Sequence, residues 1–341
     1  MKKIILIFIL ISLNQNAFSN NLFKSKFYDV EFISNNIETE KINYIRNIKE
    51  ISILEIFKKT LTIDDNNKIQ NILSEDLINT FIQNIIIEDE KIINDKYIAK
   101  IKINFNKKKI INFYRSEEIS YIEFNPNKFL LIIYEEDKIN KNLFTKNNSY
   151  YKYFKENNQN DTFFKIPNLD LNDRYILNKD DLINKNSKSI NKFAEKYKLN
   201  DLIIVLLKKN NQQTNFNFIF YSDNKFIEKY FEIKNNDYKI FFELLSYESI
   251  DAWKKINNIQ NKNLKTIVCE INYFNIFELK EIRNKLHNVS IIKDLYINSL
   301  SYKNIKYEIH YYGDLKVFND LLNINQLVLD NKLSFCKIRL K

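Results

Sequence analysis

Glycine is almost missing from this chain: Gly313 is the only one among 341 residues. A P-loop needs two glycines so that backbone N–H groups can wrap a phosphate, a dinucleotide-binding fingerprint needs three, and a nucleophile elbow needs two flanking its serine. None of these sites can be built. Two cysteines (Cys269, Cys336) and two histidines (His287, His310) leave little for a zinc site, which takes three or four such ligands at short spacing. No run of five or more basic residues is present, and only two prolines interrupt the chain. No cofactor or metal is implied, and motifs alone do not point to a reaction.

Asn, Ile and Lys fill the space left by Gly, Ala and Pro, as codons rich in A and T would produce. Asn-rich tracts can signal disorder, but here they are interleaved with Ile, Phe, Tyr and Leu, and 45% of residues are hydrophobic. The chain can therefore bury real cores. At about 100–200 residues per domain its length suggests two or three. The formal charge of +10, with a pI near 9.1, suits anionic partners such as phospholipid headgroups or cell-wall polymer; a lysine-rich codon background explains the same number.

The first residues read as a secretory signal peptide. Lys2 and Lys3 lead into an apolar run from Ile4 to Leu13, and Ala17-Phe18-Ser19 places small residues where a signal peptidase reads. The run is about half of the ~20 residues needed to cross a bilayer. Cleavage is expected after Ser19, leaving a periplasmic protein with no transmembrane segment. Neither cysteine lies near that junction, which argues against a lipid anchor. Export also disfavours roles on cytosolic nucleic acid.

Hydrophobic periodicity predicts an α+β / α/β chain of several small modules in series, over 20–125, 126–260 and 261–341, after the leader at 1–19. In the first, Phe27 to Ile33 reads as a strand, and Ile42, Ile45, Ile48, Ile51, Leu54 and Leu61 recur at mostly helical spacing. Tyr97, Ala99, Ile101, Ile103 and Phe105 alternate as a strand should. In the second, Phe129 to Tyr134 is apolar, the polar stretch Lys138 to Asp161 reads as a long surface loop, and a helix carries Ile190, Phe193, Ala194 and Tyr197. Leu202 to Leu207 is continuously apolar, as in a strand covered on both faces. Phe216–Tyr221 and Phe226–Ile233 form a hairpin, and a long helix ends near Trp253. The third reads strand, helix, strand, strand, helix, strand, a ferredoxin-like βαββαβ pattern. Gly313 falls at the turn into its second helix, with Asp314 as N-cap.

Several stretches resemble a family of exported proteobacterial proteins known as domain of unknown function 2066. The similarity covers roughly Phe27 to Leu207 and, more faintly, the rest. It rests on Lys96 to Asn106, on Arg46 with the helix through Phe57 and Leu61, on Pro167-Asn168-Leu169-Asp170-Leu171-Asn172-Asp173, and on Ala252-Trp253-Lys254. The family's Pro-Leu-Gly-Asp-Leu-Glu-Asp motif has its glycine where this chain has Leu169, and tryptophans before it correspond to Tyr150, Tyr151 and Tyr153. The resemblance implies an envelope protein of unknown activity and assigns no catalytic residue.

Asp170 and Asp173 are the candidate binding residues. They read either as carboxylates holding a cation or cationic ligand, or as turn and cap formers. An envelope hydrolase using this loop is the rival to a non-enzymatic binding or scaffold protein that contacts an envelope protein or an anionic envelope component. No nucleophile or base at recognisable spacing accompanies the pair. Tyr150, Tyr151, Tyr153 and Phe154 form either an aromatic contact surface or part of the core. His287 sits at a helix end, where a cation suits the dipole. Cys269 and Cys336 lie on the first and last strands of the third module, which are neighbours in a ferredoxin-like sheet. Alternation points both toward the helix-covered face, leaving either a disulfide or two buried thiols, and His310 toward the opposite face.

Overall fold

The computed structural model describes residues 21–136, 141–157, 163–209, 213–234, 237–262, 264–330 and 336–341. The leader read over residues 1–19, its junction with Asn20, and the predicted start of the last strand at Leu333 lie outside the described residues. Among the described residues, eleven α-helices and three sheets give a mixed α+β architecture. One unit combines residues 21–125 with 258–341; the other is 126–257.

The first unit starts with β1 (Tyr28–Ile33) and the long helix α1 (Ile37–Thr60), whose Asn36 cap accepts from the Thr39 N–H. Short helices α2 (Ile63–Gln70) and α3 (Glu75–Phe81) follow, capped by Thr62 and Ser74. Then come β2 (Ile82–Ile93), β3 (Lys96–Phe105) and α4 (Lys107–Ser116), the last capped by Asn106. With proline and glycine scarce, Asn, Ser and Thr mark the helix starts, because their short side chains accept from orphan N–H groups of the first turn. The sheet order is β1-β3-β2, all antiparallel. The alternating residues of β3 are buried, as are Ile48, Ile53, Ile56 and Phe57 of α1.

The second unit is built on β4 (Phe129–Glu136), β5 (Lys141–Leu143), β6 (Phe164–Lys165), β7 (Leu202–Lys209), β8 (Gln213–Ser222) and β9 (Lys225–Lys234). The order is β5-β4-β7-β8-β9, with β6 also pairing β4; β4 and β7 are parallel and the β7-β8-β9 run is antiparallel. The stretch expected as a surface loop instead contains β5 and helix α5 (Ser149–Asn157). Its aromatic residues pack inward: Tyr150, Tyr151 and Phe154 are buried and Tyr153 is half-buried, stacked on Tyr238. The Tyr151 hydroxyl lies against the β4 edge between β5 and β6, accepting from the Ile133 N–H at 2.7 Å and donating to the Leu131 carbonyl at 3.2 Å. A phenol can supply both a buried ring and a strand-like donor and acceptor, so a polar-looking composition hid a packed helix. Where one helix was expected there are three: α6 (Leu171–Ile176), α7 (Lys179–Ile183) and α8 (Ser187–Tyr197). Helix α9 (Tyr238–Asn257) closes the unit, burying Phe241, Leu245, Ala252 and Trp253.

The chain then returns to the first unit with β10 (Leu264–Asn272), α10 (Ile276–His287), β11 (Ile292–Ser301), β12 (Asn304–Tyr312), α11 (Leu315–Ile324), β13 (Leu327–Asp330) and β14 (Cys336–Leu340). The sheet order is β11-β12-β10-β14-β13, with β14 parallel to β10. Ile305, Tyr307, Ile309 and Tyr311 of β12 turn to the core, where Tyr311 stacks on Phe318 at 4.4 Å. Arg115 ties this sheet to the N-terminal part: its guanidinium donates to the Ser290 carbonyl at 2.8 Å and lies 4.9 Å from the centre of the Tyr312 ring. Gly313 takes φ +87°. Asp314 occupies the cap position of α11, but its carboxylate accepts from Lys265 at 2.6 Å rather than from the helix.

Candidate binding groove

Cross-strand partners share a face of a sheet, and so do residues two apart along a strand. In the second unit Tyr134, Leu206, Asn217 and Tyr230 form one such row, and Glu136, Lys208, Asn215 and Glu232 form the next. With Lys179 and Ile183 of α7 beside them, they line a groove of about 780 Å³. The sheet is apolar through its middle and polar where these strands end, so the groove has Leu206 in its floor and hydrogen-bonding groups around it.

Its charges are arranged in two ways. Glu136 accepts from the Tyr134 hydroxyl at 3.1 Å and from Lys179 at 3.3 Å, and the Lys179 ammonium sits 5.0 Å from the centre of the Tyr134 ring. Burial pushes the Glu136 carboxyl upward, but these hydrogen bonds and the nearby lysines outweigh it and hold the group below its usual range. Beside the groove, Glu228 of β9 accepts from Lys185, from Asn217 Nδ2 at 2.5 Å and from the Tyr230 hydroxyl at 3.0 Å; the Lys185 hydrogen bond chiefly lowers its pKa. Lys208 and Glu232 differ: both are exposed, and neither makes an ion pair among the described residues. They lie on either side of Asn215, about 10 Å apart at two strand spacings.

Asp170 and Asp173 are not part of this groove. Asp170 is the N-cap of α6, accepting from the Asp173 N–H at 2.9 Å, and that bond chiefly holds its carboxyl below the usual range. Asp173 is fully buried. One oxygen accepts from the Leu169 N–H at 2.9 Å; the other accepts from the Tyr197 hydroxyl and from Lys196, each at 2.6 Å. Tyr197 in turn accepts from the Asn168 N–H at 2.8 Å. The loop is thus clamped from both ends by one carboxylate, with Asp173 directed inward onto protein donors. Leu169, standing at the motif's glycine position, has φ +62°, the left-handed region that glycine enters without strain.

Cys269 and Cys336 face each other across β10 and β14 and are joined in a disulfide, with Cα atoms 4.5 Å apart. His310 lies on the other face, 2.9 Å from Glu308 and 4.0 Å from Asp294, and exposed His287 ends α10. Among the described residues no three His, Cys, Asp or Glu side chains converge, and no helix is long and apolar enough to cross a membrane. The groove residues were missed from sequence. Their signal is weak but present: charged residues close the apolar strands, as Glu135 and Glu136 do after Phe129–Tyr134 and Lys208 after Leu202–Leu207. No protein-family model matches the chain, and a search of curated proteins finds none similar to it.

Proposed function

We propose that this is an exported, non-enzymatic binding or scaffold protein of the cell envelope, and that its second unit holds an envelope protein or an anionic envelope component in the groove. The observation that carries this reading is the pattern of charge. Glu136 is held ionised by Tyr134 and Lys179, which suits a fixed contact better than a proton donor, while Lys208 and Glu232 stand ready for a partner's charges. The rival hydrolase is disfavoured by the occupancy of Asp173, whose oxygens already accept from Leu169, Lys196 and Tyr197. Export is supported by Lys2, Lys3 and the apolar run to Leu13. The C-terminal strand order, with β14 beside β10 and β12 between β10 and β11, supports a ferredoxin-like reading with β13 added at one edge.

A photoreactive phenylalanine at Tyr230, in the groove, tests this in intact cells against the same residue at Tyr175, which is 89% exposed on α6. The expected result is a discrete adduct from Tyr230 and none from Tyr175, on protein from the periplasmic fraction whose N-terminus is Asn20. Equal labelling from both sites, or an intact Met1 chain in the cytosol, would overturn the proposal.

A further inference from the structure

Every open sheet leaves edges whose unpaired N–H and C=O groups can capture another strand, and proteins blunt them by shortness or by bulges. Here β1, β5 and β13 are short, at 6, 3 and 4 residues. The long edges β2 and β11 both carry register irregularities. β9 is different: it is 10 residues long, contains no proline, and pairs with β8 in unbroken register from Ser222↔Lys225 to Gln213↔Lys234. Its outer side pairs with no strand among the described residues.

The turn fixes which backbone groups face outward. Asp223 and Asn224 have φ of 49° and 62°, both left-handed as a two-residue type I′ hairpin requires. Ser222 and Lys225 are then the closing hydrogen-bonded pair, and such pairs alternate with non-bonded ones along the ladder. Phe226, Glu228, Tyr230, Glu232 and Lys234 therefore turn their N–H and C=O groups away from β8. The side chains of Tyr230 and Glu232 are the β9 members of the two groove rows. A strand laid along β9 would continue both rows with its own side chains.

We propose that an extended peptide segment of a partner protein adds to the sheet along β9 and places alternate side chains at the groove. This rests on the groove being the contact site and names the occupant's chemistry. A repeating row of outward N–H and C=O groups about 6.8 Å apart matches another extended backbone. Glu232 lacks an ion-pair partner among the described residues, and Tyr230 is 76% exposed, so the fitting segment carries Lys or Arg opposite Glu232 and an aromatic or β-branched residue opposite Tyr230. Two-fold pairing with a second copy of this chain centred on Tyr230 would set Glu228 against Glu232 in both halves, and dimerisation is an outcome the test reads.

The probe is a display library of random dodecapeptides selected on the purified full-length protein, followed by binding of the enriched peptides to three variants. Glu232→Pro removes one outward N–H without removing a β8 hydrogen bond, and edge strands tolerate proline; Glu232→Ala removes only the side chain; Asn215→Arg crowds the groove. The expected result is an enriched apolar-x-basic pattern, binding at least ten-fold weaker to Glu232→Pro than to Glu232→Ala, and weaker binding to Asn215→Arg, with all variants melting as the parent does. Equal binding to the two Glu232 variants overturns strand addition and leaves the groove reading standing. Binding that responds to Glu232→Pro but not to Asn215→Arg upholds strand addition and sinks the groove. Failure to enrich any peptide, or a dimer of the parent that Glu232→Pro dissolves, overturns the proposed occupant.

Discussion

Asp173→Ala separates a structural carboxylate from a ligand-binding one. The substitution leaves the Leu169 N–H and the Tyr197 hydroxyl without their acceptor, in a site where the carboxylate is fully buried. Hydrogen bonds to a charged group contribute about 1.5–3 kcal/mol each, and removing one member of a buried pair costs about 3–5 kcal/mol. Lys196 keeps 24% of its side chain in water and can turn outward, so its share is discounted. The expected loss is about 3–4 kcal/mol, or roughly 10–15 °C in the midpoint for a unit of this size. Asp173→Asn, which keeps one carbonyl oxygen, should lose about half as much. Urea titration followed by tyrosine fluorescence and circular dichroism measures both. A double-mutant cycle with Tyr197→Phe should show coupling of about 1 kcal/mol or more. Asp173→Ala within about 0.5 kcal/mol of the parent would refute the clamp, as would a hydrolytic activity of the parent that vanishes in the variant.

The disulfide closes a loop with a sequence separation of 67 residues, which the chain-entropy relation values at about 4 kcal/mol. Reduction should lower the midpoint of the first unit by roughly 10 °C, and two alkylatable thiols in the unfolded, unreduced protein would contradict it. Burial raises the pKa of Tyr114, Tyr121 and Tyr151 above that of a free phenol. Above about pH 10 the unfolded chain releases protons that these buried phenols retain in the folded chain, so stability should fall as pH rises from there; residue-resolved NMR of ring-labelled tyrosine should show Tyr114, Tyr121 and Tyr151 ionising only together with unfolding, and their ionisation in the folded protein would refute this. Lys198 ends α8 in the left-handed region with φ 54°, so Lys198→Gly should raise stability by about 0.5–1 kcal/mol, measured by the same titration.

Legibility followed how far each signal extends along the chain. β3 and β7 were readable because alternation or continuous apolarity within ten residues reports the local environment directly. The cysteine pairing needed one topological step, from a βαββαβ order to adjacent first and last strands. Helix α5 was missed because its buried face is tyrosine and its flanks are Asn and Lys, so hydropathy weighed the hydroxyls and not the rings. The groove was less visible still: Glu136, Lys208, Asn215 and Glu232 come from four strands, and only the register makes them a row. Asp170 and Asp173 drew notice as charged residues beside a motif. Their spacing turned out to serve a cap and a clamp, which a short loop imposes as strictly as a ligand would.

The split of the first unit into 21–125 and 258–341 has a consequence for how the chain is made. The strand pairs of its C-terminal sheet are all encoded after the second unit, and Arg115 must wait for Ser290 and Tyr312 to emerge. Residues 126–257 can therefore complete their fold while the unit encoded on either side of them is still incomplete. Tyr121 and Ile259 exchange backbone hydrogen bonds at 2.7 and 3.4 Å across the junction, so the chain leaves and re-enters at neighbouring points. Such a doorway is the geometry in which a guest domain can be replaced by a short linker, and the groove-bearing segment is, in that sense, removable cargo on a host that closes behind it.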